Sequence, residues 1–293
     1  MIRFSKYIWI YIFVSGFVII PGVVSLFFYG LKPSIDFAGG TLFEIIVDSR
    51  IKQNDIESAA SKGGLILSSI QASGQDSYIL RAKEEDSTKF VKLIDTLNIR
   101  ASGSAQVSRQ ETVGPVLGSE LLAKAITAAV LALIVILGYV ANAFKNIRFG
   151  IAAILALIHD LLVMLGLFSI FGKYWGVEVD TLFVTAALTT MSFSMHDTIV
   201  VFDRIREYQK KGLNLSFDEI CDKALTETMG RSLTNSMTII LMLIALALMG
   251  GSSVKWFTVA LLVGTVSGTY SSDFVATPIV ILWQRWINRK RSK

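Results

Sequence analysis

The sequence predicts an α-helical polytopic membrane protein with six transmembrane helices and a small α+β domain between helices 1 and 2. The chain has 293 residues and is 53% hydrophobic but only 17% charged, whereas soluble domains carry about 25% charged residues. Six apolar runs are long enough to cross a bilayer. One long polar stretch lies between the first two runs, and its patterns alternate between strand and helix.

Each predicted membrane helix corresponds to an apolar run close to the roughly 20 residues that a helix needs to cross the hydrocarbon core. Basic residues precede the first run, as in a signal peptide, but its apolar part is too long and no small-residue cleavage site follows. We therefore predict a retained helix. The six runs are Ile8–Phe28, Leu121–Ala143, Gly150–Phe171, Thr181–Val201, Ser232–Met249 and Phe257–Trp283.

Basic residues in the loops predict the orientation of the chain. They are concentrated after the second, fourth and sixth runs, whereas the other short loops contain only Lys173 and Lys255. The positive-inside rule then places both termini in the cytoplasm and the polar stretch outside it. The basic residues that decide this are Lys145, Arg148, Arg204, Arg206, Lys210, Lys211, Arg285, Arg289, Lys290, Arg291 and Lys293.

The polar stretch predicts the element order βαββαβ, which is typical of a ferredoxin-like domain. Asn54 is the expected N-cap of the first helix, Gly63-Gly64 its end, and Ser73-Gly74 the turn of a hairpin. The predicted elements are Thr41–Val47, Asn54–Lys62, Leu65–Ile70, Ser77–Arg81, Ser87–Leu97 and Ala105–Thr112. The predicted parts of the chain are 1–29 (first transmembrane helix), 30–120 (extracytoplasmic domain), 121–284 (helices 2–6) and 285–293 (basic cytoplasmic tail).

Composition and motifs argue against several classes of function. The net charge is +5, but the basic residues flank membrane helices, so we do not expect nucleic-acid binding. The single cysteine, Cys221, cannot form an internal disulfide. The sequence contains no P-loop, no Ser-His-Asp arrangement and no cysteine cluster. We therefore expect neither an enzyme nor a cofactor.

A carboxylate at membrane depth is the strongest functional signal. Asp197 lies within the fourth run, where a charge costs roughly 2.5–3.5 kcal/mol. Thr190, Ser194 and Asp197 share one helix face. Asp197 and Asp273 each lie roughly 24 Å from the outer ends of their helices, near the level of Arg231 at the inner end of the fifth run. We predict that Asp197 carries protons or ions beside Arg231, and we keep a structural ion pair as the alternative.

The other polar groups of the membrane region leave several interpretations open. His159-Asp160 either makes helix-packing hydrogen bonds or belongs to a proton path. Asp273 is a structural partner, a residue near the membrane interface or a proton-path residue. Both histidines, His159 and His196, precede an aspartate, but adjacent helical residues point about 100° apart, so we expect no metal site. A second polar face of the fourth run should turn into the bundle or toward water. Its residues are Thr185, Thr189, Ser192 and His196.

Five motifs in this order resemble those of the SecF family, which supplies the smaller subunit of the bacterial SecD–SecF accessory complex. Ser34–Gly40 resembles G-I-D-F-x-G-G, and Glu111–Gly118 resembles E-x-V-G-P-x-L-G. Asp197–Glu207 resembles D-T-I-V-V-F-D-R-I-R-E, the most specific of the five. Arg231–Ser236 and Tyr270–Pro278 resemble the motifs of the fifth and sixth spans. The resemblance covers nearly the whole chain.

The resemblance implies six spans, an extracytoplasmic ferredoxin-like domain and SecD as the partner, in the manner of the RND superfamily. It also implies a location in the bacterial inner membrane and use of the proton-motive force to pull translocating preproteins from the SecYEG channel. The proton-linked carboxylate of the family falls on Asp197 and its arginine on Arg231. His196 replaces the usual Asn, and Asp273 replaces a usually apolar residue. Because the chain begins before its first span, we expect a subunit separate from SecD.

The expected mechanism is that protonation of Asp197 weakens its attraction to Arg231 and shifts neighbouring helices among the membrane lipids. The shift would reach the outer domain through hinge or connecting elements at Gly39-Gly40 and Gly114-Pro115. Two alternatives remain open, namely a passive scaffold of the translocase and one half of an RND-type exporter of small molecules.

Overall fold

Two structural units make up the protein. The structure, a computed structural model, describes residues 3–72, 76–82, 87–101, 105–143 and 146–291. The helical unit comprises Met1–Leu31, Ala128–Lys173 and Leu182–Lys293, and the small unit comprises Lys32–Thr127 and Tyr174–Thr181. The predicted turn at Ser73-Gly74 and the basic residues Lys145 and Lys293 lie outside the described residues.

Helices dominate the part of the chain that the structure describes. A π-helical turn, Ser272–Ala276, joins the last two of them. The helices are α1 (Ile8–Tyr29), α2 (Ile35–Ala38), α3 (Gln53–Gly63), α4 (Ser87–Ala101), α5 (Pro115–Ala143), α6 (Ile147–Trp175), α7 (Thr181–Lys210), α8 (Phe217–Met249), α9 (Ser252–Ser271) and α10 (Thr277–Arg291).

Four of the described helices, α1, α5, α6 and α8, are long and apolar enough to cross a membrane. The predicted fourth and sixth spans are also helical, as α7 and as α9 followed by the π turn and α10. Their polar residues, Asp197 and Asp273 among them, set these helices apart from the other four. The count of six spans therefore stays a prediction. Helix α8 begins at Phe217, well before the predicted Ser232, because Ser216 caps a polar first turn.

The small unit contains a four-stranded sheet with the strand order β2-β3-β1-β4. The strands are β1 (Gly40–Ile46), β2 (Leu67–Ala72), β3 (Ser77–Ala82) and β4 (Gln106–Val113). All three strand pairs are antiparallel. The element order from β1 to β4 is βαββαβ, as the sequence pattern predicts, and the element ends differ from the predicted ones by a few residues.

One face of this sheet is buried against α3 and α4. Phe43 stacks on Phe90 with ring centroids 3.4 Å apart, and Leu80 and Leu93 are fully buried beside them. The prediction that Asn54 is the N-cap of this helix is wrong, because Lys52 occupies that position. Helix α3 begins at Gln53, because the carboxylate of Asp55 accepts a hydrogen bond from Lys52 N at 2.9 Å.

The core of the helical unit lies between α6, α7, α8 and α10. Phe149 and Phe202 pack edge to face with centroids 5.0 Å apart, and Leu157, Ile205 and Val280 are buried in the same cluster. In contrast, α1 is mostly exposed, and none of the spanning part of α5 is buried in this chain. The apolar surfaces of these two helices are therefore available to lipid or to a partner.

Candidate functional site

Two glycines allow α9 to pack directly on α7. A Cβ atom on Gly264 would lie 2.5 Å from Thr190 Cβ, and one on Gly268 would lie 2.8 Å from Ser194 Cβ. Both separations are too short for real atoms, so only glycine permits this approach. The two contacts advance by four residues on both helices, which therefore run parallel. Four residues further along both helices, Thr198 meets Ser272, the first residue of the π turn.

The π turn continues this contact and precedes Asp273. Ser272 Oγ lies 3.0 Å from Thr198 Oγ1 and 3.2 Å from the backbone oxygen of Ser194. The first of these hydrogen bonds joins the residue before Asp273 to the residue after Asp197. A single π turn inside a helix often marks a functional site, because it changes the direction of the side chains that follow.

Asp197 and Asp273 are buried in the helical unit, with 4% and 2% of their surfaces exposed. Asp197 Oδ2 and Asp273 Oδ1 have no hydrogen-bond partner among the described residues. Arg231 interacts electrostatically with Asp197, and Asp197 with Asp273. Asp197, Arg231 and Asp273 thus form one electrostatic group, although Asp197 and Arg231 form no direct ion pair among the described residues.

A polar surface of α7 and α8 remains exposed beside this group. Thr190, Ser194 and Asp197 face the interior, as predicted for the first polar face of α7. The second face does not turn into the bundle of this chain, because no described helix covers it. Polar side chains at membrane depth require a partner or a water-filled cavity. The exposed residues are Thr185, Thr189, Ser192 and His196 on α7 and Arg231, Thr234, Asn235 and Thr238 on α8.

Asp160 is the centre of a second buried polar cluster. Its carboxylate accepts hydrogen bonds from Ser194 Oγ at 2.6 Å, Ser267 Oγ at 2.6 Å and Ser271 Oγ at 2.7 Å. His159 Nδ1 lies 3.1 Å from Asp160 Oδ1, the oxygen that also accepts from Ser267. These bonds join α6 to α7 and α9. The arrangement favours the interpretation of Asp160 as a residue that holds helices together.

His159 extends the cluster toward α1. Its Nε2 lies 3.2 Å from Ser15 Oγ, which is 3.5 Å from Tyr270 Oη, and Tyr270 donates to the backbone oxygen of Tyr11 at 2.9 Å. The adjacent pair His159-Asp160 thus makes contact although the two side chains leave the helix about 100° apart. Among the described residues, no three His, Cys, Asp or Glu side chains form a group that would hold a metal ion.

Replacing Asp160 with alanine is expected to destabilise the helical unit by about 3–5 kcal/mol, because several buried donors lose their common acceptor together. Chemical denaturation in detergent, followed by tryptophan fluorescence, measures this loss. The matched control is Asp95→Ala on the exposed side of α4, which should leave the midpoint unchanged. Equal midpoints for the two variants would contradict the packing role of Asp160.

The four predicted hinge residues lie in the small unit. Gly39 and Gly40 have positive φ angles of 73° and 123°. A Cβ on Gly39 would lie 2.9 Å from Pro115 Cα, and one on Gly40 would lie 2.6 Å from Ala82 O, whereas the space around Gly114 is open. Close backbone approach therefore explains the glycines at 39 and 40. A hinge function at these positions stays a prediction.

The motif after Asp197 fastens the end of α7 to α8. Arg204 Nη1 lies 2.5 Å from Glu207 Oε2, Arg204 Nε lies 2.9 Å from Glu227 Oε2, and Tyr208 donates a hydrogen bond to Glu227. Hydrogen bonds with these two glutamates raise the pKa of Arg204. The group is largely exposed, so each pair contributes little stability by itself.

The sequence interpretation missed the partners of Asp160. Ser267 and Ser271 are four residues apart and therefore share one face of α9, a spacing that is visible in the sequence. Ser15 on α1 has no such signal, because its distance along the chain from His159 hides their contact. Long-range hydrogen bonds of this kind depend on how the helices pack.

The chain matches two family models. Residues 94–286 match the C-terminal domain of the protein export membrane proteins SecD and SecF, and residues 24–48 match the SecD/SecF GG motif. The second match includes Gly39 and Gly40. Together the two matches include parts of both units of the structure.

Curated relatives match over almost the whole chain. The protein translocase subunit SecF of Thermobaculum terrenum is 40% identical over 97% of this chain and 94% of the relative. The SecF subunit of Anaerolinea thermophila is 36% identical over 94% of this chain and 92% of the relative. The crystal structure of SecDF, a translocon-associated membrane protein from Thermus thermophilus, is 29% identical with a TM-score of 0.87, over 97% of this chain and 39% of SecDF. The crystal structure of SecDF in its super-membrane-facing form is 28% identical with a TM-score of 0.71, and the match covers 99% of this chain and 40% of that chain.

Proposed function

Because the chain belongs to the SecF group of the SecD/SecF family of protein export membrane proteins, we propose that it uses the proton-motive force to assist export through the SecYEG channel. Family membership makes it a translocase subunit that works with SecD in the membrane. The proton-driven step and the contacts with SecYEG and preproteins are our proposal.

The observation that carries the proposal is the environment of Asp197. The carboxylate is buried, its Oδ2 has no described hydrogen-bond partner, and Arg231 acts on it electrostatically. Ionised Asp197 is attracted to Arg231, and protonated Asp197 is not. Proton binding therefore changes the force between α7 and α8, which gives the two protonation states different preferred helix positions.

Asp273 adds a second carboxylate to this group. With Asp197 and Asp273 ionised and Arg231 charged, the three residues carry one net negative charge, and both carboxylates are buried. A single proton removes that excess, because burial disfavours an uncompensated charge. We propose that the two aspartates belong to one proton-linked group, with His196 at its exposed edge. His159 and Asp160 form the neighbouring cluster and hold the helices around it.

The exposed polar surface of α7 and α8 supports the place proposed for SecD. Arg231 and His196 lie on this surface, at the depth of Asp197. A carboxylate supplied by SecD would face Arg231 there and complete the proton path. Lipid would cover the apolar surface of α1.

We further propose six spans with both termini in the cytoplasm of a bacterial cell and the small unit, of the ferredoxin-like class, on the outer face of the inner membrane. The contacts of Gly264 with Thr190 and of Gly268 with Ser194 make α7 and α9 parallel, as the fourth and sixth spans of that topology must be. The element order and antiparallel sheet of the small unit agree with the class.

Reconstitution tests the proposal. Proteoliposomes are prepared with SecYEG and SecD, either with or without this chain. The SecA ATPase drives import of a preprotein into them. The import rate is measured with a pH gradient imposed and with the gradient collapsed. We expect the gradient to accelerate transport only when the chain is present. An equal acceleration at collapsed gradient would instead support the passive scaffold, and equal rates with and without the chain would contradict any role in this step.

A further inference from the structure

The loop of residues 176–180, which joins α6 to α7, is paired with the segment that follows α1. Ser34 N donates to Val179 O at 2.9 Å, and Val179 N donates to Lys32 O at 2.8 Å, so the two segments run side by side in parallel. Val177 and Val179 are buried. The loop belongs to the small unit, whereas the sequence prediction assigned it to the transmembrane region. Burial of the two valines explains the difference.

A buried ion cluster binds the same loop to the sheet. Glu178 Oε2 lies 2.6 Å from Arg81 Nε on β3, and Glu178 Oε1 lies 3.4 Å from Lys32 Nζ. The Glu178 and Arg81 side chains are only 6% and 12% exposed. Burial raises the pKa of Glu178, and the positive charges of Arg81 and Lys32 oppose that rise. Removing one partner would leave the other charge buried and uncompensated.

Asp36 holds the first residue of α7. Its Oδ2 accepts hydrogen bonds from Thr181 N at 3.1 Å and from Thr181 Oγ1 at 2.9 Å. The backbone N–H groups at a helix start have no partner within the helix, and a negative charge there is favourable. The Asp36 carboxyl group, on the short helix α2, supplies the acceptor for the first N–H of α7. Asp36 is itself held by a hydrogen bond from its backbone N to Ser34 Oγ at 3.1 Å. The first residue of α7, Thr181, thus belongs to the small unit and is bonded within it.

We propose that Asp36 is a positioning residue that transmits movements of α7 to the sheet of the small unit. The inference rests on the proposed function, because it concerns the step after proton binding at Asp197. Asp197 and Thr181 belong to one uninterrupted helix, so a displacement along the axis at one reaches the other. At Thr181 the helix is hydrogen-bonded to Asp36, which precedes β1. In the loop before Thr181, Glu178 forms an ion pair with Arg81 on β3.

The geometry distinguishes this route from a path through flexible glycines. A covalent connection with freely rotating residues lets the two parts move independently. A helix start fixed by two hydrogen bonds, a parallel backbone pairing and a buried ion cluster does not. The loop 176–180 and Asp36 therefore hold Thr181, the first residue of α7, to the sheet within the small unit.

Two substitutions at Asp36 test the inference in the reconstituted complex. Asp36→Ala removes the acceptor, whereas Asp36→Asn keeps an oxygen that accepts from Thr181, since Asn is as good a helix cap as Asp. We expect Asp36→Ala to lose most of the acceleration by the pH gradient and Asp36→Asn to retain it. Basal transport without a gradient should be the same in both. Asp48→Ala, in an exposed pair with Arg50, is the matched control and should retain the acceleration.

Infrared titration of Asp197, identified by difference against Asp197→Asn, separates coupling from folding. In Asp36→Ala the carboxyl signal should titrate as in the unaltered protein, while the acceleration is lost. If Asp36→Ala does not accumulate, Thr181→Val decides instead, since it removes one of the two hydrogen bonds and should lose part of the acceleration. Thr181→Ser should then behave as the unaltered protein does.

The outcomes keep this inference apart from the proposed function. Full acceleration in Asp36→Ala, or in Thr181→Val where the first is not obtained, overturns the inference and leaves the proton-driven function standing. Loss of acceleration together with an altered Asp197 titration also overturns it, because Asp36 would then act on the proton site. Absence of acceleration in the unaltered complex overturns both.

Discussion

Asparagine at position 197 is expected to abolish the acceleration of protein export by a pH gradient while the protein stays assembled with SecD. Asn has nearly the shape of a protonated Asp but cannot ionise, so the attraction between residue 197 and Arg231 no longer alternates. Asp197 Oδ2 has no described partner, so the neutral amide breaks no hydrogen bond of that atom. Transport rates at imposed and collapsed gradients, measured on the same proteoliposome preparation, give the result directly.

Protein levels and stability complete this experiment. Co-purification of SecD with Asp197→Asn should equal that of the unaltered chain, and Asp95→Asn on the exposed side of α4 should preserve the acceleration. Had Asp197 and Arg231 been only a structural pair, the substitution would lower stability and assembly as well, because the attraction between the carboxylate and Arg231 would be lost. A variant that is unstable and still accelerated by the gradient would refute the motor interpretation.

Alanine at position 264 is expected to destabilise the helical unit by about 1–3 kcal/mol, the usual cost of overpacking a well-packed interior. The added methyl group would lie 2.5 Å from Thr190 Cβ, and the β-branched Thr190 side chain has little freedom to move away. Helices α7 and α9 must then separate, which also disturbs the hydrogen bonds around Ser194. Denaturation in detergent measures the loss, and export assays should show a parallel decrease.

Gly138→Ala in α5 is the matched control. A Cβ atom at that position meets nothing within 4 Å in this chain, and alanine favours helix over glycine by about 1 kcal/mol. The control should therefore be neutral or slightly stabilised, although the chemical change is the same. If Gly264→Ala were as stable as Gly138→Ala, the close packing of α7 on α9 would be wrong.

The comparison of sequence and structure is most informative for the small unit and α7. Alternating apolar residues predicted the order βαββαβ, because strand and helix periods depend only on neighbouring residues. The N-cap at Asn54 was wrong, since the carboxylate of Asp55 competes for the same helix start. On α7 the pattern predicted that Thr190, Ser194 and Asp197 share one face, but it did not predict which polar face this chain leaves exposed.

Long-range contacts were beyond prediction from the sequence. Asp36 and Thr181 are far apart in the chain, as are Ser15 and His159, and neither pair shares a periodic pattern. The buried pair of Glu178 and Arg81 is also invisible in the sequence, because both residues lie in polar segments where charges are expected to be solvated. Such contacts exist because the fold brings two segments together and removes water between them.

The sequence by itself determined that this is a helical membrane protein of the SecF group with an acidic residue inside an otherwise apolar run, since hydrophobicity, helical period and local motifs are properties of short segments. Only the tertiary structure decided that Asp160 joins three helices, that Asp273 lies beside Asp197 and that Asp36 caps α7. All three depend on the close approach of distant segments, and for Asp160 and Asp273 the glycines at 264 and 268 and a π turn permit it. Packing geometry is a property of the whole chain, and no short segment specifies it.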